Sequence, residues 1–430
     1  MKFITSFLLF LLLSSTVLAQ SFSEFFLDKT LRIDYIWSGN TSSQHIVIDE
    51  ISCNSGWAGR HNNLNWFPLA GDGELTMKDK TTQKVIYKTT FSSLFHEWLE
   101  TPESTICSKG FEHTLLMPYP KNKVEITVKL FSLNKLSQVE LTHIIDPCDI
   151  LIRENKKTQN SYRYLIHNGT PEECIDIAIL AEGYTVEEQE VFYQDATKAV
   201  QSIFQHEPFK SLQHKFNVVA VASPSKESGV SIPKQNKWIN TAFNSHFDTF
   251  YSDRYLTTKR VKSIHDALNG IPYEHIIILA NTEQYGGGGI FNSFTLTTSK
   301  HPAFAPVVVH EFGHSFAGLA DEYFYEDEDI YTEENPLDVE PWEQNVTNLV
   351  DFDSKWKSLL KPKTPIPTPI ENSAQYSLGV YEGAKYRTHK MYRPAIDCRM
   401  KSNSADAFCP VCNNAIEKLI LFYTQKEDLE

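Results

Sequence analysis

Residues 310–323, HEFGHSFAGLADEY, combine side chains that can bind a metal ion with one that can activate water. His310 and His314 are four residues apart, so on an α-helix both imidazoles lie on the same face. Imidazole nitrogen is a common zinc ligand, and Glu311 falls on the adjacent flank, where its carboxylate can take a proton from a zinc-bound water. The spacing therefore predicts that His310 and His314 bind one catalytic Zn²⁺ and that Glu311 is the general base. The alternative is a core helix with two hydrogen-bonded histidines.

A catalytic zinc site needs a third protein ligand, and the residues after His314 supply candidates. On a continued helix Asp321 would lie ~10 Å beyond His314 along the axis and could not share the ion. Gly318 stands where a helix can end and the chain reverse, which would return Asp321 or Glu322 to the histidines. We favour Asp321, keep Glu322 open, and keep open that both acids lie in a solvated loop or only contact the histidines. In a competing scheme the third ligand comes from a later helix, with Glu326, Glu328, Glu333, Glu334 and Glu340 as the candidates, but the acidic stretch YEDEDIYTEENP is typical of a surface loop.

The pattern of apolar residues divides the chain into two parts. From residue 20 to 152 apolar and polar residues alternate, as in LRIDYIW and KVEITVKLF, which predicts an N-terminal antiparallel β-sandwich. Residues 153–171 are polar at first and are interpreted as a linker. From 172 to 430, buried-type strands such as CIDIAIL and EHIIILA alternate with helical spacing, which predicts an α/β core. The glycines at 286–289 are interpreted as a flexible turn, followed by an edge strand, IFNSFTLTT.

The first residues, MKFITSFLLFLLLSSTVLAQ, are typical of an export signal, with Lys2, an apolar run and a small residue at Ala19. The run is shorter than the ~20 residues of a membrane span. We therefore expect residues 1–19 to be a cleaved signal peptide, and the rest of the chain to have no membrane span. Its location would be the periplasm, the cell surface or the medium. The formal net charge of -14 disfavours nucleic acid as a partner.

Three of the seven cysteines, Cys398, Cys409 and Cys412, lie close together in the sequence CRMKSNSADAFCPVC. The CPVC motif is compatible with half of a zinc knuckle, but no second CxxC motif completes it. In an exported chain we favour a local disulfide that pins this loop over a metal site.

At this point the sequence resembles a known family. HEFGHSFAGLADEY, with ILAEGYT upstream and YRPAIDCRM and FCPVC downstream, resembles the secreted metallopeptidases whose founding activity is the cleavage of immunoglobulin A. The resemblance covers nearly the whole chain after the signal peptide, because LRIDYIWSGN, GWAGRHNNL and FSSLFHEWLET resemble the N-terminal β domain of that family. The family is similar to the metzincins, although Gly318 and Asp321 come one residue later than in the metzincin pattern.

The resemblance implies an α+β multidomain fold, with the N-terminal β-sandwich followed by a metzincin-like α/β zinc-peptidase domain. It implies endopeptidase chemistry on a protein or peptide substrate, whose extended backbone would pair with the edge strand around residues 290–296. Met400 is the candidate for a methionine turn beneath the zinc, and a disulfide through Cys398 would hold that turn. Tyr392 is the candidate catalytic donor to the oxyanion, and Tyr386 is the alternative. For both tyrosines, an ordinary packed or surface position stays open.

The predicted function is exported, zinc-dependent hydrolysis of peptide bonds in extracellular or host proteins, with immunoglobulin-like proteins among the candidate substrates. A non-catalytic zinc-containing surface protein, which binds a protein or glycan through its β domain, is the main alternative. An exopeptidase is a third. Glu311 favours the enzyme, because a purely structural zinc site needs no general base.

Overall fold

The computed structural model describes residues 21–132, 138–325 and 338–425. The predicted signal peptide (1–19) and four of the acidic candidates, Glu326, Glu328, Glu333 and Glu334, lie outside these residues. Within them, no helix has the length and apolar character needed to cross a membrane.

The N-terminal part of the described chain is rich in β-structure. Strands β1, β2, β5 and β8 form one sheet in the order β5-β1-β2-β8, and β3, β4, β6 and β7 form another in the order β4-β3-β6-β7. The apolar residues of these strands point into one shared core, which agrees with the alternation in the sequence. The strands are β1 (Phe26–Gly39), β2 (Gln44–Ser55), β3 (Gly73–Asp79), β4 (Val85–Phe91), β5 (Lys109–Pro120), β6 (Val124–Phe131), β7 (Gln138–Ile145) and β8 (Arg153–Glu154).

The second part contains a sheet in the order β13-β14-β12-β10-β11-β9, as far as the chain is described. Its middle strands β14, β12, β10 and β11 are parallel, and the edge strands β13 and β9 are antiparallel to their neighbours. A separate hairpin, β15 and β16, follows. The strands are β9 (Tyr162–Ile166), β10 (Ile175–Glu182), β11 (Phe216–Val221), β12 (His275–Ala280), β13 (Gly287–Ile290), β14 (Phe294–Thr298), β15 (Tyr381–Ala384) and β16 (Arg387–Arg393).

The larger helices pack on one face of this sheet. Helices α3, α5 and α6 contribute buried residues to the same core cluster as alternate residues of β10, β11 and β12. The protein is therefore a mixed α/β structure with an N-terminal β-rich part. The helices are α1 (Phe22–Phe25), α2 (Leu94–Leu99), α3 (Gln189–Phe204), α4 (Val261–Ala267), α5 (Phe304–Ala317) and α6 (Pro410–Thr424).

The other face of the six-stranded sheet joins the core of the β-rich part. Ala178, Leu180 and Ile278 belong to the same buried cluster as Leu31 and Trp37 of β1. Since successive residues of a strand point to opposite faces, each central strand is buried on both sides. The two parts of the chain are thus held together by a common hydrophobic core rather than by a flexible connection.

The stretch 153–171, interpreted from the sequence as a linker, contains two strands. Arg153–Glu154 pairs with β2 of the β-rich part, and Tyr162–Ile166 pairs with β11 of the second sheet. Its polar composition reflects exposed edge positions, since the residues of both strands are exposed or half-buried.

The edge strand next to α5 differs from the sequence expectation. The glycines interpreted as a turn form strand β13 (Gly287–Ile290), and the turn lies at residues 291–293. Strand β14, expected at the edge, lies between β13 and β12. A glycine run normally weakens a strand, so the pattern alone favoured a turn.

Arg32 forms a buried ion pair at the junction of the two parts. Its guanidinium lies 2.9 Å from Asp34 in the same strand and 2.6 Å from Asp266 in α4. Thr114 donates a further hydrogen bond of 2.6 Å to Asp34. The buried charges of Arg32 and Asp34 therefore neutralise each other in surroundings that are otherwise apolar.

Replacing Arg32 by methionine is expected to lower the free energy of unfolding by ~3–5 kcal/mol, because the Asp34 carboxylate stays buried without its cation. Arg153→Met is the matched control. Arg153 pairs with Glu50 at the surface, with side chains 61% and 40% exposed, and its loss should cost only ~0–1 kcal/mol. Urea denaturation measures both variants, and equal losses would contradict the structural role of Arg32.

Candidate metal centre

Helix α5 presents the histidines and ends where the sequence predicts. Gly318 adopts a left-handed conformation with φ of 58°. The N–H groups of Gly318 and Leu319 donate to the carbonyl oxygens of His314 (2.9 Å) and Gly313 (3.3 Å), which satisfies the end of the helix. The chain therefore reverses after Gly318, as expected.

The reversal brings Asp321 to both histidines. Asp321 Oδ1 lies 3.0 Å from His310 Nε2 and 3.2 Å from His314 Nε2. The two Nε2 atoms are 3.0 Å apart. These three atoms form a triangle, and we refer to their residues, His310, His314 and Asp321, as the triangle. Ligands at zinc bond lengths of ~2.0–2.1 Å in a tetrahedron are about 3.3–3.4 Å apart, close to the sides of this triangle. These three side chains could hold a metal ion and leave a fourth position open.

Hydrogen bonds on the far side of each imidazole set the orientation of the ring. His310 Nδ1 contacts the carbonyl oxygen of Arg399 at 2.9 Å, and His314 Nδ1 contacts that of Leu319. A carbonyl oxygen only accepts, so both Nδ1 atoms carry the proton. In the neutral ring, the Nε2 lone pair then points into the triangle, which is the arrangement a metal ligand requires.

The electrostatics of the triangle favour bound positive charge. Burial lowers the pKa of His314, but the Asp321 carboxylate more than compensates and raises that pKa to about 9. Burial raises the pKa of Asp321, and the two histidines outweigh this effect and hold it far below its usual value. An anionic carboxylate between two imidazoles is a suitable donor set for a divalent cation.

Glu311 lies beside the triangle and against the edge strand. A Cβ atom on Gly287 would be 2.9 Å from Glu311 Oε1, so a side chain at this position would crowd the carboxylate. Burial raises the pKa of Glu311 above its ordinary value, an effect that the neighbouring histidines oppose. A raised pKa brings a carboxylate closer to the range useful for accepting and returning a proton near neutral pH.

The glycines of β13 allow that strand to lie directly on α5. A Cβ atom on Gly289 would be 2.2 Å from the carbonyl oxygen of Glu311 and 2.9 Å from His314 Cβ. The glycine run is therefore a packing requirement of the site. This role explains why a strand forms from residues that alone favour a turn.

Met400 lies under the helix, on the side away from Glu311. A Cβ atom on Gly313 would be 2.7 Å from Met400 Sδ, and Met400 is fully buried. The preceding residue supplies the carbonyl oxygen that holds His310. Met400 therefore lies close to the site, as expected. Its assignment as a methionine turn stays a prediction.

Glu322, the other candidate ligand, points away from the histidines. It is fully buried, accepts a hydrogen bond of 3.0 Å from Asn345 Nδ2, and lies 3.1 Å from Cys412 Sγ. Glu340, the described residue among the later acids, accepts from the backbone of Asp351 instead. Among those acids that the structure describes, Asp321 is the one that joins the triangle.

The expected local disulfide is wrong. Cys398 Sγ and Cys412 Sγ are 3.8 Å apart, far beyond a disulfide bond of ~2.05 Å, and all seven cysteines are free. Burial raises the pKa of Cys398 to about 12. The loop that carries Met400 is thus held by other contacts.

The two candidate tyrosines occupy different places. The Tyr386 hydroxyl donates to Asp321 Oδ2 and accepts from the Tyr323 hydroxyl at 3.4 Å. Tyr392 lies in β16, where its backbone pairs with Thr347. Its side chain packs against the core that α3, α5 and α6 form with the six-stranded sheet. The catalytic role assigned to Tyr392 stays a prediction, and Tyr386 is the tyrosine in contact with the triangle.

The β-rich part also contributes to the surroundings of the site, which the residue pattern did not indicate. The Tyr255 ring lies against Gly288, and its hydroxyl donates to Glu97 of α2. Burial raises the pKa of Glu97 to about 8. Asn292 also donates to the carbonyl oxygen of Thr90 at 2.8 Å. The available signal was a glutamate within a short, mostly apolar helix, FHEWL, which has no catalytic spacing.

The fold and site define a two-part α/β protein with a histidine and aspartate group that could hold a metal ion. Comparison with known families then gives the class of protein. Residues 164–378 and 370–420 match the model described as IgA Peptidase M64, and residues 21–141 match the one described as Peptidase M64 N-terminus. The chain belongs to the IgA peptidase M64 family, which confirms the resemblance and makes it a peptidase. No curated protein matches the chain.

Gly289→Ala is expected to destabilise the protein by ~1–3 kcal/mol, because the added methyl group meets the backbone of α5 and β13 must move. Gly110→Ala is the matched control in another strand, where the nearest atom to the added Cβ is Ile36 Cγ2 at 3.4 Å. Thermal unfolding compares the two. A Gly289→Ala variant as stable as Gly110→Ala would show that β13 does not lie as tightly on α5 as described.

Proposed function

We propose that the chain is an exported zinc endopeptidase that hydrolyses peptide bonds in extracellular or host proteins. The main support for this proposal is the triangle of His310, His314 and Asp321 with Glu311 beside it, in a member of a peptidase family. We propose the three triangle residues as the zinc ligands. Immunoglobulin-like proteins are among the proposed substrates, as the family description suggests.

The bound zinc would polarise the scissile carbonyl and lower the pKa of a water molecule at the open position. Glu311 would accept a proton from the attacking water and return it to the nitrogen of the leaving amine. The carbonyl oxygens of Arg399 and Leu319 keep both histidines in the tautomer that leaves Nε2 unprotonated. Asp321 supplies negative charge that favours the cation.

We propose that strand β13 binds the extended backbone of the substrate. The N–H of Gly287 donates to Arg254 at 3.3 Å, so that end of the strand is already paired. Gly289, two residues further on, directs its N–H and C=O to the same side of the strand. A substrate strand placed there would lie over Glu311 and His314, the residues that Gly289 approaches most closely.

Glu311→Gln should lower the rate of peptide cleavage by ~10²–10⁴-fold, because the amide cannot accept the proton of the water. Zinc content and thermal stability should stay near those of the parent, because the triangle is unchanged. Mass spectrometry of a diverse peptide mixture, incubated with each protein, measures the cleavage. Internal cuts that persist at the parental rate would contradict the proposed role, and cuts confined to the termini would indicate an exopeptidase.

Tyr386→Phe is expected to reduce kcat/KM by ~10–100-fold, because it removes the hydroxyl that contacts Asp321. Tyr392→Phe is the matched comparison and should change kcat/KM less than twofold, roughly the effect of a partly buried hydroxyl outside the triangle. Both variants are assayed with one peptide substrate, with kcat and KM determined separately. A loss confined to Tyr392→Phe would instead support Tyr392 as the oxyanion donor.

A further inference from the structure

Four buried side chains meet behind the histidine site, outside the residues used in the proposed mechanism. They are Glu322, Cys398, Cys409 and Cys412, and their potential ligand atoms all lie within 4.8 Å of one another. Three are fully buried, and Cys409 is 5% exposed. We refer to this group as the cysteine cluster.

The distances in the cysteine cluster suit a tetrahedral ion. Cys398 Sγ and Cys412 Sγ are 3.8 Å apart, and Glu322 Oε1 lies 3.1 Å from Cys412 Sγ and 4.0 Å from Cys409 Sγ. Around zinc, with Zn–S bonds of ~2.3 Å, two sulfurs are separated by about 3.8 Å, and a sulfur and an oxygen by about 3.5 Å. The sulfurs of Cys398 and Cys412 are thus too far apart for a disulfide and appropriately spaced for a shared ion.

Glu322 supplies a second, independent sign of a ligand. Oε1 accepts from Asn345 and is also the oxygen nearest the sulfurs, while the other oxygen, Oε2, is buried without a hydrogen-bond partner among the described residues. A buried carboxylate oxygen left unsatisfied is costly, and a cation bound by both oxygens of the carboxylate would satisfy it. The neighbouring backbone also favours thiolates. The N–H of Cys409 donates to Cys398 Sγ at 3.1 Å, and that of Cys412 to Cys409 Sγ at 3.5 Å.

The surroundings can balance the negative charge of such a donor set. Cys409 and Cys412 stand at the N-terminus of α6, the positive end of the helix dipole. Arg393 and Lys401 interact electrostatically with Glu322, and Arg399 does so with Cys398. Three thiolates and a carboxylate around Zn²⁺ leave a net negative charge, which these cations offset.

We propose that Glu322, Cys398, Cys409 and Cys412 bind a second zinc ion in a closed, structural site. Soft thiolate donors select zinc over calcium or magnesium, and four protein ligands leave no open position for water. The site would fix three pieces of the histidine site at once. Glu322 follows Asp321, Cys398 precedes the residue that holds His310, and Met400 lies two positions after Cys398. The proposal requires no ion at the histidines and stands apart from the proposed function.

Metal analysis of the protein, purified without chelator or reductant, tests the inference. The parent should contain about two zinc ions per chain, and a His310→Ala/His314→Ala variant should keep about one, because its cysteine cluster is intact. Cys412→Ser should lose one zinc. Cys148→Ser is the matched control, because Cys148 is exposed and distant in sequence, and it should keep the parental content.

Cobalt substitution separates the two sites without relying on a cysteine variant that folds. A cobalt–thiolate charge-transfer band in the near ultraviolet would report the cysteine cluster and not the triangle, since the triangle has no sulfur ligand. The band should persist in the His310→Ala/His314→Ala variant. Alkylation after unfolding with a chelator should modify Cys398, Cys409 and Cys412 alike. Absence of zinc from the histidine variant, together with a mass that shows two of these cysteines joined in a disulfide, would overturn the proposal.

Discussion

The reversal of the chain at Gly318 is the constraint on which the site depends. Without it, helix α5 would carry Asp321 away from the histidines along its axis. The left-handed glycine ends the helix, and Asn345 then holds the returning chain through paired hydrogen bonds with Ala320, at 2.8 and 2.9 Å. The hairpin of β15 and β16 adds a backbone hydrogen bond of 2.9 Å from Lys385 to Asp321. The position of a single carboxylate is thus set mainly by backbone contacts.

Beyond the reversal, neighbouring residues face opposite sides of the segment, and this alternation connects two groups of polar side chains. Asp321 faces the histidines, and Glu322 faces the cysteines. The sequence presents the two acids as competing candidates for one site, whereas the fold separates them. A contact that orders the cysteine side would also restrict Asp321, because the two residues share a peptide bond.

The β-rich part is structurally continuous with the peptidase part. One face of the six-stranded sheet contributes to the same core as β1, and Glu97 of α2 contacts Tyr255 beside strand β13. The N-terminal part therefore contacts residues that lie beside the site. Through Tyr255, this contact reaches the edge strand where we propose that substrate binds.

Local patterns predicted much of this molecule. The helix with its two histidines, its end at Gly318, the return of Asp321 and the β-rich N-terminal part all follow from spacing and residue type. The glycine strand was missed because its stability comes from contact with α5, which local propensity does not encode. The disulfide was wrongly favoured because the sequence does not reveal that Glu322 reaches the three cysteines. Glu97 was missed because the domain contact that brings it to Tyr255 is non-local.

The location of zinc can be tested directly by anomalous diffraction from crystals of the zinc-loaded protein, measured on both sides of the zinc absorption edge. We expect a peak within bonding distance of His310 Nε2, His314 Nε2 and Asp321 Oδ1, close enough to Glu311 for one water molecule to lie between them. Zinc-loaded crystals with no peak among these three side chains, or with Asp321 turned away from an ion bound by the histidines, would contradict this expectation.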